Sequence, residues 1–339
     1  MKKLRTSILA SVALVAAGAS GQAQSVADFY KGKNVTVYIG FSPGGTYDLF
    51  GRMVSRYIGK HIPGQPTVIA SNMPGAGSLT ATNWLYRAAP KDGTAMGIVS
   101  QTMAMDEALK AKGVQYKAAE FNWIGRVTSN IEVHVISTKS KGATFDGAKT
   151  AEIPVASTGP GSPSDTYPKI MNDVLGTKFK IIRGFPGSTD GLLAIERGEV
   201  DGALTSWNTM KSTRMNWLTE KRAVLLVQYV TARSPELKDV PTLVEMATND
   251  ADKKLLTFAV SSADIGRAIL APPGLPADRV AALRTAFDAA MKDPELLAEV
   301  NKANLDFEPL GGAELAKIVA EAAATDASVI ARMQKILAE

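Results

Sequence analysis

The hydrophobic positions of the chain alternate between short apolar runs and stripes with helical spacing. Apolar runs at 35–41, 66–72 and 93–101 predict three strands. After the first strand and its turn, large apolar side chains recur every three or four positions, at Leu49, Phe50, Met53, Val54, Tyr57 and Ile58. Apolar strands that alternate with amphipathic helices predict an α/β fold with a largely parallel sheet that is covered on both faces.

The middle of the chain repeats this order with new elements. Strands are predicted at 132–138 and 222–230, with two strand–turn–helix units between them. From Pro276 onward the tail is predicted to be helical, because apolar residues keep helical spacing at Val280, Leu283, Phe287 and Met291.

The simplest domain organisation inserts the second α/β unit between the two halves of the first. We therefore predict a discontinuous first lobe, 24–131 and 232–339, and a second lobe, 132–231. The chain is predicted to cross between the lobes near residues 130 and 230.

The first 23 residues have the layout of a secretory signal peptide. Basic residues in the first five positions precede an apolar run from Ile8 to Ala17, and small residues follow. The apolar run is too short to span a bilayer. We predict a signal peptide over 1–23, cleavage after Ala23 and a soluble product in the periplasm.

Charge and residue counts exclude several classes of function. The full chain carries a net charge of +5, which falls to +2 once Lys2, Lys3 and Arg5 leave with the signal peptide. A charge this small favours neither a nucleic acid nor a membrane surface as partner. The chain has no cysteine and two histidines, so disulfides, a thiol nucleophile and a metal centre are not expected. No glycine-rich nucleotide motif is complete, and no cofactor is predicted.

Four turns between predicted strands and helices are the candidate binding elements. They are the first turn "SPGGTYD" (42–48), the second "PGAGSLT" (74–80), the third "STGPGSPSD" (157–165) and the fourth "FPGSTD" (185–190). In an open α/β sheet such turns line the crevice at the carboxyl ends of the strands, where free helix amides attract anions. Each turn alone is also explained as an ordinary loop with a serine or threonine N-cap. Two turns in each predicted lobe favour a clamp for a small anion.

The segment "GFSPG" around Ser42 also matches the G-x-S-x-G pattern of a serine hydrolase. In that motif the amide after the serine stabilises the oxyanion, but here the next residue is Pro43, which has no N–H. His61 lies at the far end of the following helix, about 20 Å away, and His134 lies in an apolar strand. A secreted hydrolase that uses Ser42 is the weaker alternative, and we predict no catalytic residue.

Two residues near the turns have two interpretations each. Asp48 is either a first-turn acid that stabilises its helix, with Thr46 as N-cap, or a carboxylate that orders water or accepts a hydrogen bond from the ligand. Trp207 follows a strand end in "ALTSWNTMK" and either lines the crevice or packs within the lobe. The sequence leaves both pairs of interpretations open.

The four turns, in this order, resemble those of the Bug-type periplasmic solute-binding proteins of tripartite tricarboxylate transporters. The similarity runs from "GFSPGGTYDLFGRMVSRYIGKH" through "VASTGPGSPSD" and "IIRGFPGSTDGLLAIERGEVDGAL" to "RSPELKDVPTLVE", and it spans almost the whole mature chain. The resemblance implies a two-lobed, type II-like periplasmic binding protein fold. Each lobe would be a mainly parallel sheet flanked by helices, and two crossover strands would join them.

The resemblance also implies a function. Such a protein is not an enzyme: it closes over a small organic anion, usually a carboxylate, and delivers it to the membrane subunits of a tripartite tricarboxylate-type transporter. We expect a monomer. A receptor that docks on a sensor protein of a signalling system is the alternative within the same fold.

The resemblance further implies roles for the turns. The Gly44–Asp48 and Gly75–Ser78 turns would hold a carboxylate partly through ordered water, whereas the Ser157–Ser162 and Phe185–Asp190 turns would contact the variable end of the ligand. The candidate ligand-binding residues are Ser42, Gly44, Gly45, Thr46, Asp48, Gly75, Ala76, Gly77, Ser78, Gln101, Ser157, Thr158, Gly159, Gly161, Ser162, Phe185, Pro186, Asp190 and Trp207.

Three features depart from the family pattern. Pro160 and Pro163 stiffen the third turn, and Phe185 stands where a more usual member has tyrosine. The segment "SADIGRAILAPPGLP" lacks the aromatic residue that commonly precedes the glycine. The pattern therefore does not identify the ligand.

Overall fold

The structure is a computed structural model that describes residues 24–159 and 161–338. The predicted signal peptide and Pro160 lie outside the described residues. The strands are β1 Asn34–Ile39, β2 Thr67–Asn72, β3 Ala95–Ile98, β4 Asn122–Arg126, β5 Glu132–Ser137, β6 Ile153–Ser157, β7 Phe179–Arg183, β8 Gly202–Ser206, β9 Ala223–Tyr229, β10 Ala268–Ala271 and β11 Leu310–Gly311.

Helices flank these strands along the whole described chain. They are α1 Val26–Tyr30, α2 Thr46–Ile58, α3 Leu79–Arg87, α4 Met103–Ala108, α5 Phe145–Thr150, α6 Pro163–Leu175, α7 Ser188–Arg197, α8 Trp207–Thr213, α9 Met215–Thr219, α10 Asp250–Val260, α11 Ser262–Ile265, α12 Ala277–Ala290, α13 Pro294–Lys302, α14 Gly312–Ala323 and α15 Ala327–Ala338. Short 3₁₀ turns lie at Gly59–His61, Ala76–Ser78, Ala118–Glu120, Lys141–Ala143 and Val244–Met246. None of these helices is both long and apolar enough to cross a membrane.

The strands form two mixed sheets, in the orders β11-β4-β10-β3-β1-β2 and β7-β6-β8-β5-β9. β1 pairs in parallel with β2 and β3, and β6 pairs in parallel with β7 and β8. β10 and β5 pair antiparallel with both of their neighbours. The predicted α/β class is confirmed. Four strands of each sheet point the same way, and β10 and β11 in the first sheet and β5 in the second run against them.

The predicted local elements follow from the apolar pattern. The five predicted strands are confirmed, with ends that differ by at most three residues from those of β1, β2, β3, β5 and β9. In α2, Phe50, Met53, Val54 and Ile58 are buried against the first sheet. Leu49 is 37% exposed, so its predicted place on the buried stripe is wrong. Four apolar residues at this spacing already cover the inward face of a three-turn helix.

The C-terminal part of the chain divides between the two sheets. Helices α12 and α14 pack against β4 of the first sheet. Helices α10 and α15 pack against α6 instead, and Leu255, Leu256 and Met333 are buried in the core of the second sheet. The predicted lobe boundaries stay a prediction.

The two chain crossings lie against each other beneath the carboxyl ends of the parallel strands. The first runs from β4 to β5, and the second returns to β10 after α11. Backbone hydrogen bonds join them, from the Val127 amide to the Arg267 carbonyl at 3.0 Å and from the Arg267 amide to the Thr128 carbonyl at 2.9 Å. Gly266 has a φ of +55°, and a Cβ at this position would lie 2.2 Å from the Thr128 oxygen. Only glycine fits between the crossings here.

Candidate functional site

The first and second turns lie side by side because β1, β2 and β3 end at the same level. Ile39, the last residue of β1, is paired with Asn72 at the end of β2 and with the last residue of β3. The turns 42–48 and 74–80 and the side chain of Gln101 therefore follow three neighbouring strands, at the edge where open α/β sheets bind ligands. The structure brings these predicted residues together.

Asp48 shapes the first turn. Its buried carboxylate accepts hydrogen bonds from Gly44 N at 3.0 Å, Arg52 Nε at 2.9 Å and Asn72 Nδ2 at 2.8 Å. Burial by itself raises the pKa of the Asp48 carboxyl, but these three hydrogen bonds outweigh burial and lower the pKa below its ordinary value. The contacts favour the interpretation of Asp48 as a structural acid that holds the turn.

The second turn has a strained backbone. Four successive residues have positive φ, 143° at Gly75, 46° at Ala76, 63° at Gly77 and 80° at Ser78. Residues other than glycine rarely adopt this conformation, so neighbouring contacts must hold Ala76 and Ser78 in place. The buried Ser78 Oγ accepts the amide of Ser100 at 3.1 Å, and a Cβ on Gly40 would lie 1.9 Å from the same oxygen. Close packing against the ends of β1 and β3 therefore sets the shape of the turn.

Glycines in the turns leave space that no protein atom fills. Among the described residues a Cβ would meet no atom within 4 Å at Gly44, Gly45, Gly77, Gly159, Gly161 and Gly184. Gly45 is the most informative, because its φ of −87° suits any residue and neither strain nor packing requires glycine there. It caps α2, whose first-turn amides have no intrahelical acceptor and carry partial positive charge. The space at Gly45 gives an anion access to these amides.

The third and fourth turns also lie together, at the corresponding edge of the second sheet. Ser157 at the end of β6 is paired with Arg183 at the end of β7, and the amide of Phe185 donates to the Ser157 carbonyl at 3.3 Å. Beneath the turns, Arg183 forms a bidentate salt bridge with Asp165, with Nε–Oδ1 and Nη2–Oδ2 distances of 2.6 and 3.2 Å. This pair ties the start of α6 to the end of β7.

The hydroxyl groups of the third turn bond to one another. Ser164 Oγ accepts the amide of Thr158 at 3.0 Å and lies 2.9 Å from Ser162 Oγ. Ser157 Oγ accepts the amide of Gly159 at 3.1 Å, and Ser162 Oγ donates to the Gly159 carbonyl at 2.7 Å. The network preorganises the turn, and the role of these hydroxyls toward a ligand stays a prediction.

Trp207 is buried in the core of the second sheet. Its side chain is 4% exposed, and the indole N–H donates to Glu236 Oε2 at 2.5 Å. These contacts favour packing as its role. Phe185 and Asp190 are partly exposed and Pro186 is exposed. These three residues follow β7 and are accessible to a ligand, and their role in binding stays a prediction.

Arg267 is a site residue that the sequence pattern does not reveal. It directly precedes β10, and its guanidinium lies 4.0 Å from the centre of the Tyr47 ring. Nη1 donates to Gln101 Oε1 at 2.9 Å, and Nη2 donates to Thr46 Oγ1 at 3.1 Å and to Asn130 Oδ1 at 2.8 Å. Two of these partners are predicted site residues. The one sign in the sequence is a lone arginine before an apolar strand, in the segment that departs from the family pattern.

Titratable side chains from both sheets meet beside Arg267. Tyr47 from α2, Glu132 from β5 and Tyr167 from α6 lie close enough for their charges to act on one another. Burial raises the pKa of all three groups, and Arg267 partly opposes this for Tyr47 and Glu132. Glu132 Oε1 accepts a hydrogen bond from Asn130 Nδ2 at 2.6 Å. The elements α2, β5 and α6 therefore bring these three side chains into one region beside the crossings.

Both histidines bond to partners other than Ser42. His61 Nε2 lies 2.8 Å from Asp293 Oδ2, and His134 Nδ1 lies 2.8 Å from the hydroxyl oxygen of Tyr229. Burial lowers the pKa of His134 to about 3, so this imidazole is neutral at physiological pH. The arrangement contains no base for an attack by the Ser42 hydroxyl.

The sequence matches a known family over most of its length. The family described as the tripartite tricarboxylate transporter family receptor matches residues 51–334. The chain belongs to this receptor family. Its members are periplasmic receptors for solutes and not enzymes, so the predicted family is confirmed and the hydrolase alternative is rejected. The match begins just after the first turn.

Two curated relatives cover most of this receptor at low identity. One, from Agrobacterium vitis, is named as a UPF0065 protein in the TAR-I ttuE-ttuC' intergenic region. It is 26% identical over an alignment of 323 residues that covers 92% of this chain and 86% of the relative. The other, from Pseudomonas sp. strain P51, is named as a UPF0065 protein in the tcbD-tcbE intergenic region. It is 24% identical over an alignment of 315 residues that covers 91% of this chain and 88% of the relative.

Solved structures share the fold of this receptor. A Rhodopseudomonas palustris protein with adipate superposes with a TM-score of 0.67 at 17% identity, over 89% of this chain and 97% of that one. The protein MatC from the same species, with bound malate, has a TM-score of 0.64 at 21% identity, over 90% and 99%. A TctC solute binding protein from Polaromonas has a TM-score of 0.64 at 17% identity, over 91% and 99%. These likenesses confirm the predicted two-lobed periplasmic binding protein fold.

Proposed function

We propose that this receptor binds a small organic anion, a carboxylate, between the first and second turns of one sheet and the third and fourth turns of the other. The loaded receptor then delivers the anion to the membrane subunits of a tripartite tricarboxylate-type transporter. In this proposal the protein acts as a monomer in the periplasm after cleavage behind Ala23.

The open turns around Gly45 carry the proposal. Gly45 is glycine although neither its φ nor its packing requires it, so the missing side chain serves whatever occupies the space beside α2. The free amides at the start of α2 border that space, and the buried guanidinium of Arg267 donates to the side chain of Thr46, the next residue. Both attract a negative group. The similar structures with bound malate and with adipate are in keeping with a carboxylate.

Binding would be coupled to closure of the lobes. In this proposal the first lobe comprises 24–131 with the returning segment 268–323, and the second comprises 132–231 with α10 and α15 packed on it. The ligand favours the closed state because only this state presents the turns of both sheets to it. Closure also removes water, which strengthens each charge-assisted hydrogen bond.

Thermal shift and calorimetry test the proposal. We expect one or more of malate, adipate and citrate to raise the melting temperature of the mature protein, because a ligand of the folded state stabilises it by mass action. Gly45→Val should keep the fold, since its Cβ meets open space, but fill the binding space and weaken binding about tenfold or more.

The matched control is Ala277→Val, at the exposed first residue of α12, which also adds a branched side chain at a helix start. This variant should bind as the unmodified protein does. Unchanged calorimetric affinity in Gly45→Val would contradict the proposed place of the anion. If none of the carboxylates binds, the proposal itself is wrong.

A further inference from the structure

Lys211 on α8 bonds to two carboxylates in a partly buried cluster. Its Nζ lies 2.9 Å from Glu236 Oε2 and also forms a salt bridge with Asp306. The side chains of Lys211 and Asp306 are 12% and 13% exposed. The backbone amide of Asp306 donates to Asn208 Oδ1 of the same helix at 2.9 Å. Asp306 is therefore held to α8 by its carboxylate and by its backbone.

The salt bridge between Lys211 and Asp306 joins the two sheets. Trp207 of α8 is buried in the core of the second sheet. Leu305 and Phe307, on either side of Asp306, pack against the core of the first sheet. Each partner is therefore anchored in a different core.

Backbone hydrogen bonds also fix each partner to one end of the first chain crossing. Trp207, at the start of α8, donates its amide to the Ile131 carbonyl at 2.8 Å. Glu308, two positions after Asp306, donates its amide to the Val127 carbonyl at 3.2 Å. The salt bridge therefore spans the crossing between these two carbonyls, and a bend there changes the distance between its partners.

The salt bridge lies on the side of the crossings where the parallel strands end. α8 directly follows β8, which runs parallel to β6. The segment of Asp306 leads into β11, whose first residue Leu310 is paired with Arg126 at the end of β4. β4 points the same way as β3, because both are antiparallel to β10. A rotation at the crossings that opens the cleft between the turns of the two sheets therefore draws Lys211 and Asp306 apart.

Burial makes this pair more than a screened surface contact. Burial by itself lowers the pKa of the Lys211 ammonium, but the hydrogen bonds to Asp306 and Glu236 outweigh burial and raise the pKa. Burial raises the pKa of the Asp306 carboxyl, and Lys211 only partly opposes this rise. Charges that are partly removed from water attract each other more strongly than exposed charges do.

We infer that Lys211 and Asp306 form a latch across the first crossing, which shifts the receptor toward its closed state before any ligand binds. The inference rests on the proposed function, in which the lobes close over the ligand. The closed state gains the charge-assisted bond, whereas in the open state Asp306 returns to water and Lys211 keeps Glu236. One partly exposed bond of this kind changes the closed-to-open ratio about 3- to 30-fold.

Spin labels measure the positions of the lobes without any ligand. The chain has no cysteine, so Thr213→Cys on α8 and Lys302→Cys on α13 provide two exposed labelling sites, one on each sheet. We expect pulsed electron paramagnetic resonance on the ligand-free mature protein to show a short and a long distance between the labels. Asp306→Asn should raise the long-to-short ratio about 3- to 30-fold. The same ratio in both proteins would refute the latch and leave carboxylate binding standing, whereas a failure of every acid to bind would refute the proposed function alone.

The chain offers a matched control for this change. Asp306→Asn should keep the fold, because Lys211 retains Glu236 as its partner. Glu152→Gln also removes one negative charge and one salt bridge, with Lys180 at 2.8 Å, but both residues are exposed on the second sheet. This control should leave the label distances as they are. If Glu152→Gln shifts the ratio as much as Asp306→Asn does, net charge and not the latch sets the lobe positions, and the inference is wrong.

A double-mutant cycle tests the pair itself. In a protein that already carries Lys211→Met, adding Asp306→Asn should change the ratio by less than about twofold, because the bond is already lost. An equal shift in both backgrounds would show that Asp306 acts without Lys211 and would refute the inference.

Ligand affinity separates a latch from a ligand contact. Malate, adipate or citrate, whichever binds, should bind the Asp306→Asn variant more weakly by a factor no larger than the change in the label ratio, because only the closed fraction binds tightly. A calorimetric loss well beyond that factor would make Asp306 a ligand contact and contradict its role as a latch.

Discussion

Replacing Gly266 with alanine tests how closely the two chain crossings pack against each other. Gly266 has φ 55° and ψ −132°, a conformation that L residues rarely adopt. Its Cβ would lie 2.2 Å from the carbonyl oxygen of Thr128 and 2.8 Å from the Cα of Ser129, and both are backbone atoms that cannot rotate away. The conformation costs about 1–3 kcal/mol and the overpacking about 1–3 kcal/mol. Gly266→Ala should therefore lower the free energy of unfolding by about 2–6 kcal/mol.

Urea unfolding followed by circular dichroism measures this loss. Gly274→Ala is the matched control, because Gly274 also has a positive φ, of 79°, but its Cβ would meet nothing closer than Lys91 Cδ at 3.8 Å. The control carries the backbone strain without the clash and should lose about 1–2 kcal/mol. If both variants lose the same free energy of unfolding, the crossings move apart without a measurable loss of stability. The close packing inferred at Gly266 is then wrong.

Two further predictions concern the second turn and a partly buried acid. Gly40→Ala should weaken carboxylate binding about tenfold, because its Cβ would lie 1.9 Å from Ser78 Oγ and displace the turn. Adding Ser78→Gly removes that oxygen and should restore part of the calorimetric affinity; no recovery would contradict the steric explanation. Burial raises the pKa of Asp106 from 3.8 to about 6, which a hydrogen bond from Thr102 only partly opposes, so the folded state binds more protons than the unfolded state between these values. Stability should fall by about 2–3 kcal/mol as pH rises from about 4 to about 7, and urea unfolding of Asp106→Asn should lack this fall; the same pH profile in both proteins would contradict the assignment.

The apolar pattern predicts local elements well because each depends on residues close in sequence. The run 35–41 becomes β1, and the stripe from Phe50 to Ile58 becomes the buried face of α2. Strand direction and helix partners depend on distant residues instead. Periodicity alone therefore cannot show that β10 runs against β3, or that α15 packs on α6.

The candidate site shows the same division. The four turns could be predicted, since glycine, serine and threonine between a strand and a helix are local features. The role of Arg267 could not be predicted, because its guanidinium bonds to Gln101 and Asn130, which lie 166 and 137 positions away in the sequence. The sequence leaves two interpretations of Asp48 for a related reason. Its partner Asn72 lies on the next strand, and only the paired strands bring the two side chains together.

A crystal structure of the receptor with adipate, or with the carboxylate that binds most tightly, tests the central claim most directly. We predict electron density for the ligand between the two sheets, with one carboxylate within hydrogen-bonding distance of the amides that follow Gly45. Density in the groove between α10 and α14, beside Lys253 and Glu321, would contradict the account. So would a ligand between the sheets that touches neither the first nor the second turn.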